Sequence, residues 1–283
     1  MLIDSHLHVW SRNVDPRPYP NPGHVPGAPL AERHDHGLDQ VSGELDAAGV
    51  TGVVLVQVVN ELRHTDELLA TANASTRPVK VVGWLPLAEP GELTLSLQRY
   101  ADRPELVGVR HRLLPGEPRD FLLQPAVSQS LELVGEAGLV LDVMPWPREL
   151  LGQVPLIARR HPGLTIVIDL LGGPPVAEGR MQPWTDQLAA AAAEPDVCIK
   201  MGGLYRLSGT RTRPDDWRPY LSTTVELFGS ERIMFGSNWP ARPTSGHSYQ
   251  HTVDAVLATF DELVESERED LRGATASRVY RFA

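Results

Sequence analysis

Eight short runs rich in valine, isoleucine and leucine recur along the chain. Each is separated from the next by a stretch whose apolar residues fall at helical spacing. The runs are Leu2–Val9, Gly52–Val58, Val79–Leu85, Leu106–His111, Leu139–Met144, Thr165–Leu170, Val197–Met201 and Arg232–Gly236. Between them, Leu68, Leu69 and Ala72 mark a helix between Glu61 and Thr76, and Leu131 and Val134 mark another between Phe121 and Ala137. Gly49, Gly138 and Gly163 each stand just ahead of a strand, where a left-handed residue closes the preceding helix. Eight alternations of strand and helix predict an α/β protein, a single (β/α)8 TIM barrel over residues 1–283. The competing fold is a doubly wound open sheet, and the absence of a glycine-rich phosphate loop after the first strand counts against its nucleotide-binding version.

Two stretches break the pattern. Between Arg12 and Gly37 lies a long first βα loop holding Pro16, Pro18, Pro20, Pro22, Pro26 and Pro29, which cannot be helix or inner strand. In a barrel it would cover the C-terminal face of the strands, where loops shape substrate pockets. Pro240–Tyr249, after the eighth strand, lies on that same face. The tail from Ser266 to Tyr280 is expected to be an extra C-terminal helix that serves packing.

With 42% hydrophobic and 22% charged residues, the chain can bury a large core without a disulfide or structural metal. Its one cysteine, Cys198, excludes an internal disulfide and fits a reducing compartment. A net charge of -10 with no dense basic patch argues against nucleic acid as a partner. The opening MLIDSHLHVW has no basic stretch before an apolar run, and no run is long enough to span a membrane. A cytoplasmic enzyme is expected; the oligomeric state is left open.

The strongest chemical motif is His6-Leu7-His8 at the end of the first strand. Alternation points both histidines to one side, the barrel interior, where they can share one ligand or metal ion. On the fourth strand Arg110 and Arg112 flank His111, so one set should point inward. An inward Arg110 would clamp a substrate carboxylate, and an inward His111 would polarise a carbonyl. Gln57 ends the second strand and is a candidate polar contact. Trp10, Trp84, Trp146 and Trp239 each fall near a strand's C-terminal end, which predicts an aromatic rim around a small, flat, carboxylated or aromatic substrate.

The segment Asp4-Ser5-His6-Leu7-His8-Val9-Trp10 resembles the opening of the amidohydrolase superfamily. Four more segments are similar to its lactonase branch, which holds L-fuconolactonases and 2-pyrone-4,6-dicarboxylate lactonase. They are Gly108-Val109-Arg110-His111, Asp169-Leu170-Leu171-Gly172 with Pro174-Pro175, Lys200-Met201-Gly202-Gly203-Leu204, and Met234-Phe235-Gly236-Ser237-Asn238-Trp239-Pro240. The resemblance implies a TIM-barrel hydrolase in which Lys200 is a further candidate for substrate contact or a structural ion pair.

Two positions depart from that pattern. The family's Asp-His-Leu-Gly becomes Asp169-Leu170, which removes an imidazole, and its Gly-Ser-Asp-Trp-Pro carries Asn238 in place of the aspartate that acts as general base. An amide cannot take a proton from water near pH 7, although it still donates and accepts hydrogen bonds. For Asp169 to stand in, its carboxylate must face inward, out of phase with the missing imidazole, and this is not expected. Catalytic zinc takes three protein ligands plus water. His6 and His8 alone would bind a divalent metal such as zinc weakly, and His247 and His251 are expected at the surface, so no tightly bound metal is predicted.

Three functions therefore stand open. One is hydrolysis of a lactone or cyclic carboxylic ester, with His8 as base, Asn238 positioning water, and a pH–rate limb near the histidine range. Another is non-hydrolytic work on the same barrel, such as decarboxylation, elimination, isomerisation or cyclisation. The last is a silent ligand-binding protein.

Overall fold

The computed structural model describes residues 1–11, 35–240, 248–258 and 263–282. Eight parallel strands follow one another around the sheet in chain order. They are β1 (Leu2–Leu7), β2 (Val50–Val56), β3 (Val79–Gly83), β4 (Leu106–His111), β5 (Val140–Val143), β6 (Ile166–Ile168), β7 (Val197–Gly202) and β8 (Ile233–Gly236). Past the end of β8, Leu7 bridges Trp239 in parallel. The Asn238 amide donates to the His6 carbonyl and the His8 amide to the Trp239 carbonyl, both at 2.8 Å, which closes the ring. This is the (β/α)8 TIM barrel that the alternation predicts.

Helices α1 (Leu38–Ala47), α2 (Leu62–Ala74), α3 (Pro90–Arg99), α4 (Pro125–Glu136), α5 (Val154–Arg160) and α6 (Trp184–Ala192) lie between successive strands. Two helices, α7 (Leu204–Ser208) and α8 (Pro214–Phe228), link β7 to β8, and α9 (Tyr249–Leu257) follows β8. Gly49, Gly138 and Gly163 are left-handed, with φ of 72°, 68° and 87°, as their places ahead of β2, β5 and the β6 run require. Most of the proline-rich loop lies outside the described residues, as do residues 241–247, including His247. No helix among the described residues is long and apolar enough to cross a membrane.

The tail is helical, as expected, but does more than pack against the outside. It runs through α10 (Glu265–Glu269), a π turn (Asp270–Ala274) and α11 (Thr275–Tyr280). Ala276 and Tyr280 of α11 join an apolar cluster with Ile3, Val54, Val82, Val107, Val140, Val167, Cys198 and Met234, which between them come from all eight strands. These residues fill the lower interior of the barrel, and α11 forms its floor. Two residues further along three of these strands, on the same inward face, stand Asp142, Asp169 and Lys200. Strand alternation therefore builds a polar layer directly above the apolar one.

Candidate active site

On β1 a register shift between Asp4 and Leu7 brings His6 and His8 into the interior while Leu7 packs outward. Their Nε2 atoms lie 3.1 Å apart, with the rings edge to face. Gly236 is needed beside them, because a Cβ there would sit 2.7 Å from the His6 Cβ. The buried Asp4 carboxylate fixes the neighbouring backbone. Its Oδ1 accepts from the amides of His6 (3.0 Å) and Ser237 (2.9 Å), and its Oδ2 accepts from the Tyr249 hydroxyl (2.8 Å).

His8 Nδ1 lies 2.7 Å from the Val56 carbonyl oxygen. His6 Nδ1 faces both Lys200 Nζ at 3.3 Å and Asp169 Oδ1 at 3.1 Å. The expectation that Asp169 faces away from the interior is corrected here. Val167 is the inward position of β6, Asp169 keeps that phase one residue past its end, and the chain turns off at Leu170. Leu170 (φ 49°) and Leu171 (φ 57°) are left-handed, followed by left-handed Gly172 and Gly173. Each left-handed leucine costs about 1–3 kcal/mol that surrounding contacts must offset. One such contact is Leu170 packed against Gly203, so closely that a side chain at 203 would have no room.

Below the histidines lies a fully buried ionic layer. Arg110 donates to Asp169 Oδ2 at 2.9 Å and to the Gln57 carbonyl oxygen. Lys200 lies 3.1 Å from Asp169 Oδ1 and donates to Asp142 Oδ2. Asp142 Oδ1 accepts from the Tyr280 hydroxyl at 2.8 Å, and the Lys200 ammonium stands 5.2 Å from the centre of the Tyr280 ring. Two cations thus balance two carboxylates. Both Nη groups of Arg110 are engaged inside the protein, so the inward arginine does not offer the two-pronged carboxylate clamp expected of it. Its Nε has no partner among the described residues.

The electrostatics follow from burial. Desolvation lowers the His6 imidazole to about 4, against the pull of Asp169, and takes His8 well below its ordinary value, helped by His6 and Arg110. Both rings are therefore neutral at pH 7, and a rate limb from either falls below the ordinary histidine range. Burial alone would raise Asp169, but Lys200, His6 and Arg110 hold it well below the carboxylate range. Asp142 is raised because desolvation outweighs Lys200.

The remaining predicted residues lie around this centre. Asn238 is buried and left-handed (φ 60°), and its Nδ2 has no partner among the described residues; nor does Trp239 Nε1. Gln57 Nε2 donates to the Arg110 carbonyl at 2.8 Å, leaving Oε1 without a partner there. His111 is held in a network of its own: Trp84 Nε1 donates to its Nδ1 at 3.2 Å, its Nε2 lies 3.0 Å from Glu117, and Phe121 stacks on its ring. Trp10 and Trp239 both stand edge to face with one ring, His36, with centres 4.6 and 5.4 Å away, whereas Trp146 stands 5.9 Å from the Arg148 guanidinium.

Sequence reasoning missed several residues. His36 carried no pattern. His64 bridges two strand exits, its Nδ1 3.3 Å from the Val58 amide and its Nε2 3.1 Å from the Val9 carbonyl oxygen. Asp142 did carry a signal, a lone charge in an apolar strand.

Two imidazole nitrogens converge, but the described residues do not complete a metal site around them. Among the described residues no group of three or more His, Cys, Asp or Glu side chains could hold a metal ion. His251 lies on α9 beside Tyr205, with ring centres 6.1 Å apart. The carboxylate nearest the histidines, Asp169, is already paired with Arg110 and Lys200.

The chain resembles known proteins in sequence and in structure. An L-fucono-1,5-lactonase of Burkholderia ambifaria is 30% identical over 248 residues, covering 87% of this chain and 82% of the relative. A Burkholderia multivorans amidohydrolase crystallised with bound zinc matches at TM-score 0.87 and 28% identity, covering 100% of each chain. A Pseudomonas putida protein described as a 2-pyrone-4,6-dicarboxylic acid hydrolase matches at TM-score 0.76 and 26% identity, covering 99% of this chain and 97% of the other. With the amidohydrolase sequence profile matching residues 3–282, the chain belongs to the amidohydrolase family.

Proposed function

We propose that the protein hydrolyses a small lactone or related cyclic carboxylic ester at the His6–His8 pair, without a complete metal site. The observation that carries this reading is the meeting of two neutral, buried imidazoles at 3.1 Å, next to Asn238, in a chain whose relatives include lactonases. His8 Nδ1 must be the proton-bearing nitrogen, because it faces a carbonyl oxygen. His8 Nε2 then carries the lone pair that takes a proton from attacking water. The Nδ2 of Asn238, without a partner among the described residues, orients that water or the ester carbonyl.

Recognition falls mainly to donors that lack a partner among the described residues: Asn238 Nδ2, Trp239 Nε1 and Arg110 Nε. With Arg110 and Lys200 balanced by Asp169 and Asp142, the site suits a ring held by single hydrogen bonds better than one that needs a free cationic clamp. A carboxylate on that ring would meet Arg110 Nε alone.

Asn238 also favours a second reading, non-hydrolytic chemistry, since an amide cannot replace a water-activating carboxylate. Product mass separates the two. Incubation with a panel of sugar and pyrone lactones should give a product heavier by one water, and His8→Ala should abolish it. A product without added water would establish the second reading, and full activity in His8→Ala would remove His8 from the mechanism.

A further inference from the structure

At the exits of β3 and β4 stands a further imidazole, His111, set apart from the His6–His8 pair. Trp84 Nε1 can only donate, and it lies 3.2 Å from His111 Nδ1, which is therefore the bare nitrogen. A neutral ring carries one proton, so that proton sits on Nε2 and is given to Glu117, whose carboxylate oxygens stand at 3.0 and 3.2 Å. Asn60 Nδ2, 3.4 Å from the same Nε2, is already committed to the Arg112 carbonyl oxygen at 2.8 Å. Burial lowers the imidazole below its ordinary value in spite of Glu117, so the neutral ring is the form present at pH 7. Trp84 itself continues the inward phase of Val82, one residue past the end of β3, and is half-buried. Thr65 fixes its backbone, the hydroxyl accepting from the amide at 2.8 Å and donating to the carbonyl at 2.9 Å. His111 holds the indole nitrogen.

We propose that His111 is the positioning residue that fixes Trp84 as a wall of the barrel mouth, and that a second proton on His111 releases the indole. That proton can go only to Nδ1, where two N–H groups would then face each other across 3.2 Å. The contact with Glu117 becomes an ion pair in the same step. Acid therefore ties the imidazole more firmly to the loop after β4 while it frees the indole. Among the described residues the charged group facing His111 is Glu117, 26% exposed and so open to solvent protons. Asn60 after β2, Trp84 after β3, Val143 beside it on β5 and the stacked Phe121 are uncharged. The Arg112 guanidinium is turned to the Val58 carbonyl oxygen.

The proposal is independent of the lactonase reading, and its test needs no substrate. Proton–nitrogen correlation spectra of the full chain would follow the Trp84 indole signal and the His111 ring nitrogens as pH is lowered from neutrality. The Trp84 indole proton should start at a downfield, hydrogen-bonded position and move to that of a free indole, with the same midpoint as the His111 ring. Glu117→Gln should lower that midpoint, because it removes the anion that favours the imidazolium. His111→Asn sets an amide oxygen where Nδ1 stood and cannot titrate, so its Trp84 signal should stay downfield as pH falls. His111→Leu should show the free-indole position already at neutral pH. A bare Nε2 on His111 at neutral pH, or a Trp84 signal that holds its place until the chain unfolds, would overturn the proposal. The same movement in His111→Asn would overturn the role of His111, and the unsubstituted chain decides the release even if a variant does not fold.

Discussion

The Tyr280 hydroxyl, on the last helix of the chain, donates to Asp142 at 2.8 Å inside the barrel, 138 positions away in sequence. The C-terminal helix therefore supports the ionic layer beneath the histidines. Tyr280→Phe keeps the ring and deletes a hydrogen bond to a charged acceptor, so it should cost about 1.5–3 kcal/mol of stability. Urea denaturation followed by circular dichroism checks this. A change indistinguishable from zero would mean that the hydroxyl is not engaged.

Gly236→Ala is expected to damage the site more than the fold. The new Cβ would lie 2.7 Å from the His6 Cβ and would push His6 away from His8. Small-to-large strain of this kind costs about 1–3 kcal/mol. Turnover should fall well beyond what that loss of stability explains. Comparing kcat with the melting temperature of the same preparation separates the two effects.

Acid should weaken the fold through His64, whose imidazole burial lowers from 6.5 to about 4. Between those values the unfolded chain binds more protons than the folded one. Stability is therefore present in full above about 6.5 and is lost as pH falls toward 4. The shift corresponds to about 3 kcal/mol. His64→Gln can still donate to the Val9 carbonyl, and its stability–pH curve should be flatter than that of the unsubstituted chain in this window. Parallel curves would contradict the assignment.

Much of this was legible in the sequence. β4 occupies Leu106–His111 as the pattern predicts, and His6 and His8 share a face because Leu7 lies between them, although a register shift after Asp4 is what turns that face inward. Asp169 was misjudged because its phase was taken from position 170 instead of from Val167. Counting by twos from Val140, Val167 and Cys198 would have placed Asp142, Asp169 and Lys200 in one layer. The Tyr280 contact had no such signal, since only barrel closure brings the last helix under β5. The commitment of Arg110 to Asp169 and the Gln57 carbonyl likewise depends on cross-barrel geometry that no local pattern records.

Leu170→His together with Asn238→Asp should restore metal binding. The left-handed backbone at Leu170, with φ of 49°, suits His better than Leu, and that at Asn238, with φ of 60°, admits Asp as it does Asn. Elemental mass spectrometry after dialysis against zinc should then approach ~1 ion per chain, as a three-ligand site requires. No gain would show that the pocket has been rebuilt around the amide.

The most direct measurement is the metal content of the untagged protein as purified, with Leu170 and Asn238 in place. Two imidazoles with no third ligand among the described residues predict far less than ~1 divalent ion per chain. A stoichiometry near that value would contradict the account, because another group would then have to complete a site for which the described residues supply only two imidazoles.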